Sequence, residues 1–162
     1  MNDFSGAGAN LSRKQEAIRA KCFHPTGTFV EFKKEEIEQS IPGRFETIVR
    51  QFPDRVAVKT RDSTQTYDEL NQAANRIAQA ILAECSEDNE PIALLLEQGP
   101  ATIAALFATL KVGKIVVPLD PSYPRARIAY MLEHSQAALL VTNKKNLSLA
   151  SELAKSEVRL LN

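Results

Sequence analysis

Along "IVRQFP", "RVAVKT", "TYDELNQAANRIAQAI", "IALLL" and "KIVVPL" the spacing of apolar residues changes repeatedly between helical and extended periods. Phe45, Ile48, Val49 and Phe52 recur at helical spacing until Pro53 stops them, which predicts an amphipathic helix. "RVAVKT" and "STQTY", rich in β-branched residues and separated by the polar "RD", predict a hairpin. Thr66 lies three residues before Glu69, the spacing of a capping box, and Leu70, Ala74, Ile77 and Ile81 follow on one helical face. "TYDEL" is therefore a strand-to-helix junction.

"IALLL" is apolar at every position, as a strand covered on both faces of a parallel sheet must be. Pro100 suits a first helical position, Ile103, Leu106, Phe107 and Leu110 form the expected buried stripe, and Gly113 suits the left-handed position past the helix end. "KIVVPL" is a further strand, closed by Pro118, which fits only where the ladder needs no donor. Pro121 and Pro124 force an extended turn around Tyr123. From Pro124 a helix with a core face of Ile128, Met131 and Leu132 leads to the strand "AALLVT", a short helix in "NLSLASELAKSE" and a last strand, "VRLLN". Strands separated by helices make βαβ units, so the class is α/β with a mainly parallel sheet. The end at Asn162, directly after a strand-like run, leads us to expect the first part of a larger unit.

The region before this pattern is different. Residues 1–10 are small and polar, and "GAG" lacks the preceding strand and third glycine of a dinucleotide fingerprint. Ser12 and Gln15 stand at capping-box spacing, so a short helix is expected there, followed by a connector with one brief strand in "TFVEF". The expected division is 1–40, tail and connector, and 41–162, the α/β portion.

Composition narrows the function more by exclusion. The chain has 162 residues, 44% of them hydrophobic, with 20 basic against 20 acidic side chains. That is enough to bury a core, and it supplies no basic field for nucleic acid or anionic membranes. No secretory leader and no apolar run of about 18 residues is present, so a soluble cytoplasmic protein is expected, one that contacts neither nucleic acid nor membrane. Cys22 and Cys85 stand apart and read as reduced thiols, and the sequon at Asn146 reads as accidental. His24 in the connector and His134 near a helix end read as structural.

No serine elbow, zinc helix or paired-carboxylate motif occurs, and none of the six glycines belongs to a phosphate-cradling loop. No catalytic, cofactor-binding or metal-binding residue can be named. Tyr123 either lines a pocket or packs its ring over the strand end with its hydroxyl bonded to the turn; the second is expected. Asp120, following a strand, is expected to cap the next turn rather than reach a pocket.

"TYDELNQAANRIAQAI" and "LKVGKIVVPLDPSYPRARIAYMLEHSQAALLVT" together resemble the first two core motifs of adenylation domains in nonribosomal peptide synthetases, within the superfamily of adenylate-forming (AMP-binding) enzymes. Tyr67, Glu69 and Leu70 occupy the first motif. Leu110, Lys111, Gly113, Val117, Pro118, Leu119, Asp120, Pro121, Tyr123 and Pro124 occupy the second, followed by Arg127, Ile128, Tyr130, Met131 and Leu132. Val112 replaces a usual Ala, Ile115 and Val116 replace an Ala-Tyr pair, and His134 stands where Asp is common.

The resemblance implies the first part of the large N-terminal subdomain of a ligase that joins an amino acid to ATP with magnesium and releases pyrophosphate. The acyl group then passes to the phosphopantetheine thiol of a carrier protein domain. It places the phosphate loop, adenine contacts and catalytic lysine after the region matched, so this part is expected to be inactive without the remainder of the domain. Two alternatives are a fatty-acyl adenylating relative and a noncatalytic half-domain that binds or regulates a synthetase through apolar strand edges. A small nucleotide-binding α/β protein of another kind is disfavoured by the missing glycine loop.

Overall fold

In a computed structural model of the chain, residues 12–13, 34–86, 89–154 and 158–162 are described. The expected capping box at Ser12, the "TFVEF" strand, Cys22 and His24 rest on residues outside them. The chain divides into two units, 1–39 and 40–162. In the first, Lys34–Glu38 form one turn of 3-10 helix.

The second unit begins with α1, Ile41–Gln51, where Ser40 caps the helix by accepting the Gly43 N–H at 3.2 Å. A Cβ on residue 43 would stand 2.9 Å from the Ser40 hydroxyl, so glycine there leaves room for the cap. Strands β1, Val56–Lys59, and β2, Thr64–Thr66, form the expected antiparallel hairpin, with an irregularity between Val56 and Val58. Helix α2, Tyr67–Glu84, opens on the full capping box: Thr66 accepts the Glu69 N–H at 3.2 Å, and Glu69 accepts the Thr66 N–H at 2.9 Å.

Then come β3 (Pro91–Leu95), α3 (Pro100–Lys111), β4 (Ile115–Leu119), α4 (Arg125–Ser135), β5 (Leu139–Val141), α5 (Leu147–Leu153) and β6 (Arg159–Leu161). The four strands form one sheet in the order β4-β3-β5-β6, parallel throughout. The path steps from β3 to β4, then back across β3 to β5, and right-handed crossovers therefore put α3 and α4 on opposite faces.

The alternation of strand residues agrees. Ile92, Leu94, Leu139 and Val141 pack with α2 and α3, while Ala93, Leu95, Leu119 and Leu140 pack with α4 and α5. Ile92 through Leu95 are at most 2% exposed, so β3 is covered on both sides, as its unbroken apolar run requires. A third cluster, Phe45, Val49, Leu70 and Ala104, joins α1 and the hairpin to α2 and α3, with the Phe45 and Phe107 rings stacked 3.9 Å apart.

One expectation fails within α3. The buried positions are Ala104, Ala105, Ala108 and Thr109, and the large residues of the expected stripe, Ile103, Leu106, Phe107 and Leu110, are only half-buried. This helix is apolar on nearly every side and packs against α2 as well as the sheet, so its smallest side chains take the closest contacts.

Candidate functional site

Open parallel sheets bind ligands beyond the carboxyl ends of their strands, at the point where successive connections leave in opposite directions. With the order β4-β3-β5-β6 that point lies between β3 and β5. Two loops stand at that point, residues 96–99 entering α3 and residues 142–146 entering α5.

These loops carry a polar cluster at that end. Thr142, buried, donates its hydroxyl to the Leu95 carbonyl at 3.1 Å, and the buried Asn146 amide reaches the same carbonyl at 3.5 Å. Glu97 accepts from Asn143 Nδ2 at 2.9 Å on one oxygen and from Lys145 Nζ at 2.9 Å on the other. The bonds from Lys145 and Asn143 outweigh partial burial and hold the Glu97 carboxyl down to about 2, so it is ionised. Thr102 donates to the Glu97 carbonyl. Beyond β4, Asp120 Oδ1 accepts the Ser122 N–H at 2.8 Å while its carbonyl accepts the Tyr123 N–H at 3.1 Å, which closes the turn; the Ser122 bonds hold this carboxyl below its ordinary value.

The other end of the sheet has its own cluster. Lys114, 5% exposed, donates to the Ser86 carbonyl at 2.5 Å and lies 3.4 Å from Glu90, which is also 3.9 Å from Arg159. Cys85, a free thiol next to it, is pushed up by burial and by Glu90, away from thiolate character. A surface groove of about 500 Å³ between α1, α2 and the end of α3 is lined by Glu46, Asn75, Gln79, Leu82 and Lys111, with Lys111 paired to Glu46.

Among the described residues, neither end fits a nucleotide phosphate or its magnesium ion. No three of His, Cys, Asp and Glu converge as a metal would require among the described residues. Glu97 already has two donors and Asp120 one, and the loop opening α3 has a single glycine, Gly99, in extended backbone.

The motif residues fall in separate places. Tyr67 begins α2 with its ring 6.4 Å from Phe45, Glu69 serves the cap, and Leu70 is 2% exposed in the core. Leu110 is half-buried on α3, Lys111 pairs with Glu46, and Gly113 has φ of 71° just past the helix. Pro118 lies on the edge strand β4, opposite Leu94, and Leu119 is buried. Pro121 sits in the turn, and Pro124 is the residue before α4. Tyr123 is 37% exposed, carries the Arg127 guanidinium 4.3 Å from its ring centre, and makes no side-chain hydrogen bond among the described residues, contrary to the expected bond to the turn. His134 stands in the last turn of α4, stacked on Tyr130 at 5.5 Å.

Glu97, Thr142, Asn143 and Lys145 are not legible as a cluster in the sequence. The available signal is positional: each is among the first polar residues after a wholly apolar strand, "LLLE" and "LLVTN". Asn146 is 7% exposed with its amide engaged, which disposes of the sequon as an attachment point.

Residues 45–161 match the family described as AMP-binding enzyme. Gramicidin S synthase 2 of Aneurinibacillus migulanus is 37% identical over 114 residues, 70% of this chain and 3% of that protein. Phosphinothricin tripeptide synthetase PhsC of Streptomyces viridochromogenes is 38% identical over 120 residues, 74% of this chain and 11% of that protein. The solved nonribosomal peptide synthetase FmoA3, with alpha-methyl-L-serine-AMP bound, is similar with a TM-score of 0.69 at 27% identity, over 76% of this chain and 14% of its own. The N-terminal subdomain of Klebsiella oxytoca NpsA, in complex with 3-hydroxybenzoyl-AMSN, shares the fold with a TM-score of 0.66 at 24% identity, over 76% of this chain and 30% of its own. This chain thus spans less than a third of each of the four. No helix among the described residues is long and apolar enough to cross a membrane. Hairpin, sheet and both core motifs all lie inside the matched residues, and the chain belongs to the AMP-binding enzyme family.

Proposed function

We propose that this chain supplies the first part of the large N-terminal subdomain of an amino-acid adenylating ligase in nonribosomal peptide synthesis. Such a ligase joins the amino acid carboxylate to ATP, releases pyrophosphate and passes the acyl group to a phosphopantetheine thiol on a carrier domain. The family match over residues 45–161 carries the reading, and the peptide synthetases among the relatives favour an amino acid over a fatty acid. An artificially fused adenylation and carrier di-domain with NpsA has the same fold, at 24% identity, and supports a carrier as partner.

Within that reading residues 41–162 are scaffold and residues 1–40 a connector. Tyr67, Glu69, Leu70, Leu110, Lys111, Gly113, Pro118, Leu119, Asp120, Pro121, Tyr123 and Pro124 act as architecture. They cap α2, end α3, close the edge of β4 and shape the turn into α4, so that the carboxyl ends of the strands stand level on one side. ATP and magnesium are held by residues other than those described, because the polar groups of the described sheet ends are engaged with one another. The reaction takes place in the cytoplasm, without nucleic acid or membrane; the balanced charge supports this.

The test is amino-acid-dependent exchange of pyrophosphate into ATP by the native polypeptide, isolated with an antibody against residues 45–162. Exchange by a species well above 17.9 kDa, and none by residues 1–162 alone, is the expected result. A native species of 17.9 kDa without exchange would overturn the reading in favour of a noncatalytic partner.

A further inference from the structure

Beyond Thr142, whose N–H is bonded to the Leu161 carbonyl, the loop after β5 leaves the ladder, and one backbone bond, Asn146 N–H to the Asn143 carbonyl at 3.0 Å, is joined by several side chains in holding it. Thr142 and Asn146 donate to the Leu95 carbonyl, and Asn143 Oδ1 accepts from Asn146 N at 3.1 Å and Asn146 Nδ2 at 3.2 Å. Among the described residues, one side chain of the opposite loop, that of Glu97, answers them. Glu97 divides its two oxygens between Asn143 and Lys145, and its own carbonyl is fixed by Thr102 of α3. It therefore ties both loops and the first turn of α3 into one unit.

This clamp is poorly placed as a source of stability. The Lys145 side chain is 76% exposed and that of Glu97 35%, so their ion pair is screened by water and adds little. Its position matters more: it stands at the topological switch point, the place where open α/β sheets take up ligands.

We infer that Glu97 is a positioning residue, which sets the spacing of the 96–99 and 142–146 loops through Asn143 and Lys145 at the carboxyl edge of the sheet, the edge where open α/β sheets take up their ligands. The role rests on the ligase reading above. Glu97 does not act on reacting atoms.

Two measurements test it. In the 162-residue chain, Glu97→Ala should lower hydrogen-exchange protection of the Asn146 amide, which bonds the Asn143 carbonyl and side chain, by about tenfold while the thermal midpoint moves by only a few degrees. In the native polypeptide, Glu97→Ala and Asn143→Ala should each lower the kcat of pyrophosphate exchange by about tenfold or more, with less effect on KM. Glu97→Gln, which keeps one acceptor oxygen, should recover most of it. Unchanged protection overturns the inference, and so does an unchanged kcat in either alanine variant, or a kcat lost only in step with the folded fraction. A wild-type polypeptide that shows no exchange brings down the ligase reading and this role with it, while the protection experiment still reports whether the clamp exists.

Discussion

Both ends of β3 are fastened by a carboxylate and a lysine, and the two fastenings differ in where the lysine lies. At the amino end the Lys114 side chain is 2% exposed and meets Ser86 and Glu90; at the carboxyl end that of Lys145 is 76% exposed and meets Glu97. A buried ammonium makes the fold depend on its partners, whereas an exposed one places a loop at little cost to stability. The amino end is thus built to hold and the carboxyl end to position.

The largest effect expected from this contrast is at Lys114. Replacing it by Ala empties a buried stem and removes the donor that Ser86 and Glu90 share, a loss of about 2–3 kcal/mol. Urea denaturation of the 162-residue chain measures it. A loss no greater than that of Lys145→Ala would erase the distinction between the ends. Next comes Gly113, adjacent to Lys114, whose φ of 71° costs a side chain about 1–2 kcal/mol. Gly113→Ala should lower the urea midpoint by that equivalent, although open space surrounds the added Cβ. If it does not, the left-handed turn is relaxing, and the amino end is less rigid than the buried lysine implies.

The two ends are unequally legible from the chain. Gly113, the Thr66–Glu69 box and the unbroken run of β3 announce local needs: a positive φ, a free donor, a strand covered twice. Each acts within a few residues, so spacing alone reveals it. Lys114 in "KVGKIVV" looks like an ordinary surface lysine, and its burial arises only when Ser86 and Glu90 arrive from the loop before β3. Glu97 and Asn143 are further still from recognition, 46 residues apart and joined only because β5 docks beside β3 rather than beside β4. The stripe of α3 misleads for a related reason: periodicity marks where the large side chains are, but contacts with two neighbours decide which small ones are buried.

Acid titration should distinguish the two ends as well. Partial burial pushes the Glu90 carboxyl up, but the bonds from Ser86 and Lys114 outweigh it and leave the group below its ordinary 4.5; Glu97 is held down to about 2. A carboxyl lowered by folding contributes stability that is complete above its unfolded value and lost as pH falls through the folded one. Stability should therefore be flat from pH 7 to about 5 and fall below about 4.5, with the Glu97 share still draining toward pH 2. After solvent screening that share is under about 1 kcal/mol. Urea midpoints at stepped pH check this, and a decline already complete near pH 4 would remove Glu97 from the account.

The smallest effect is the most discriminating. Lys145→Ala removes the exposed half of the Glu97 pair and leaves Asn143, Thr142 and Asn146 in place, so the expected change is at most about 0.5 kcal/mol. It should also remove part of the acid dependence between pH 4.5 and 2, because the first cause of the lowered Glu97 carboxyl is gone. A thermal midpoint close to wild type together with a flatter acid profile is what a positioning contact produces. A loss as large as that of Lys114→Ala would mean that the carboxyl end, like the amino end, is holding the sheet together, and the division of labour between the two would have to be given up.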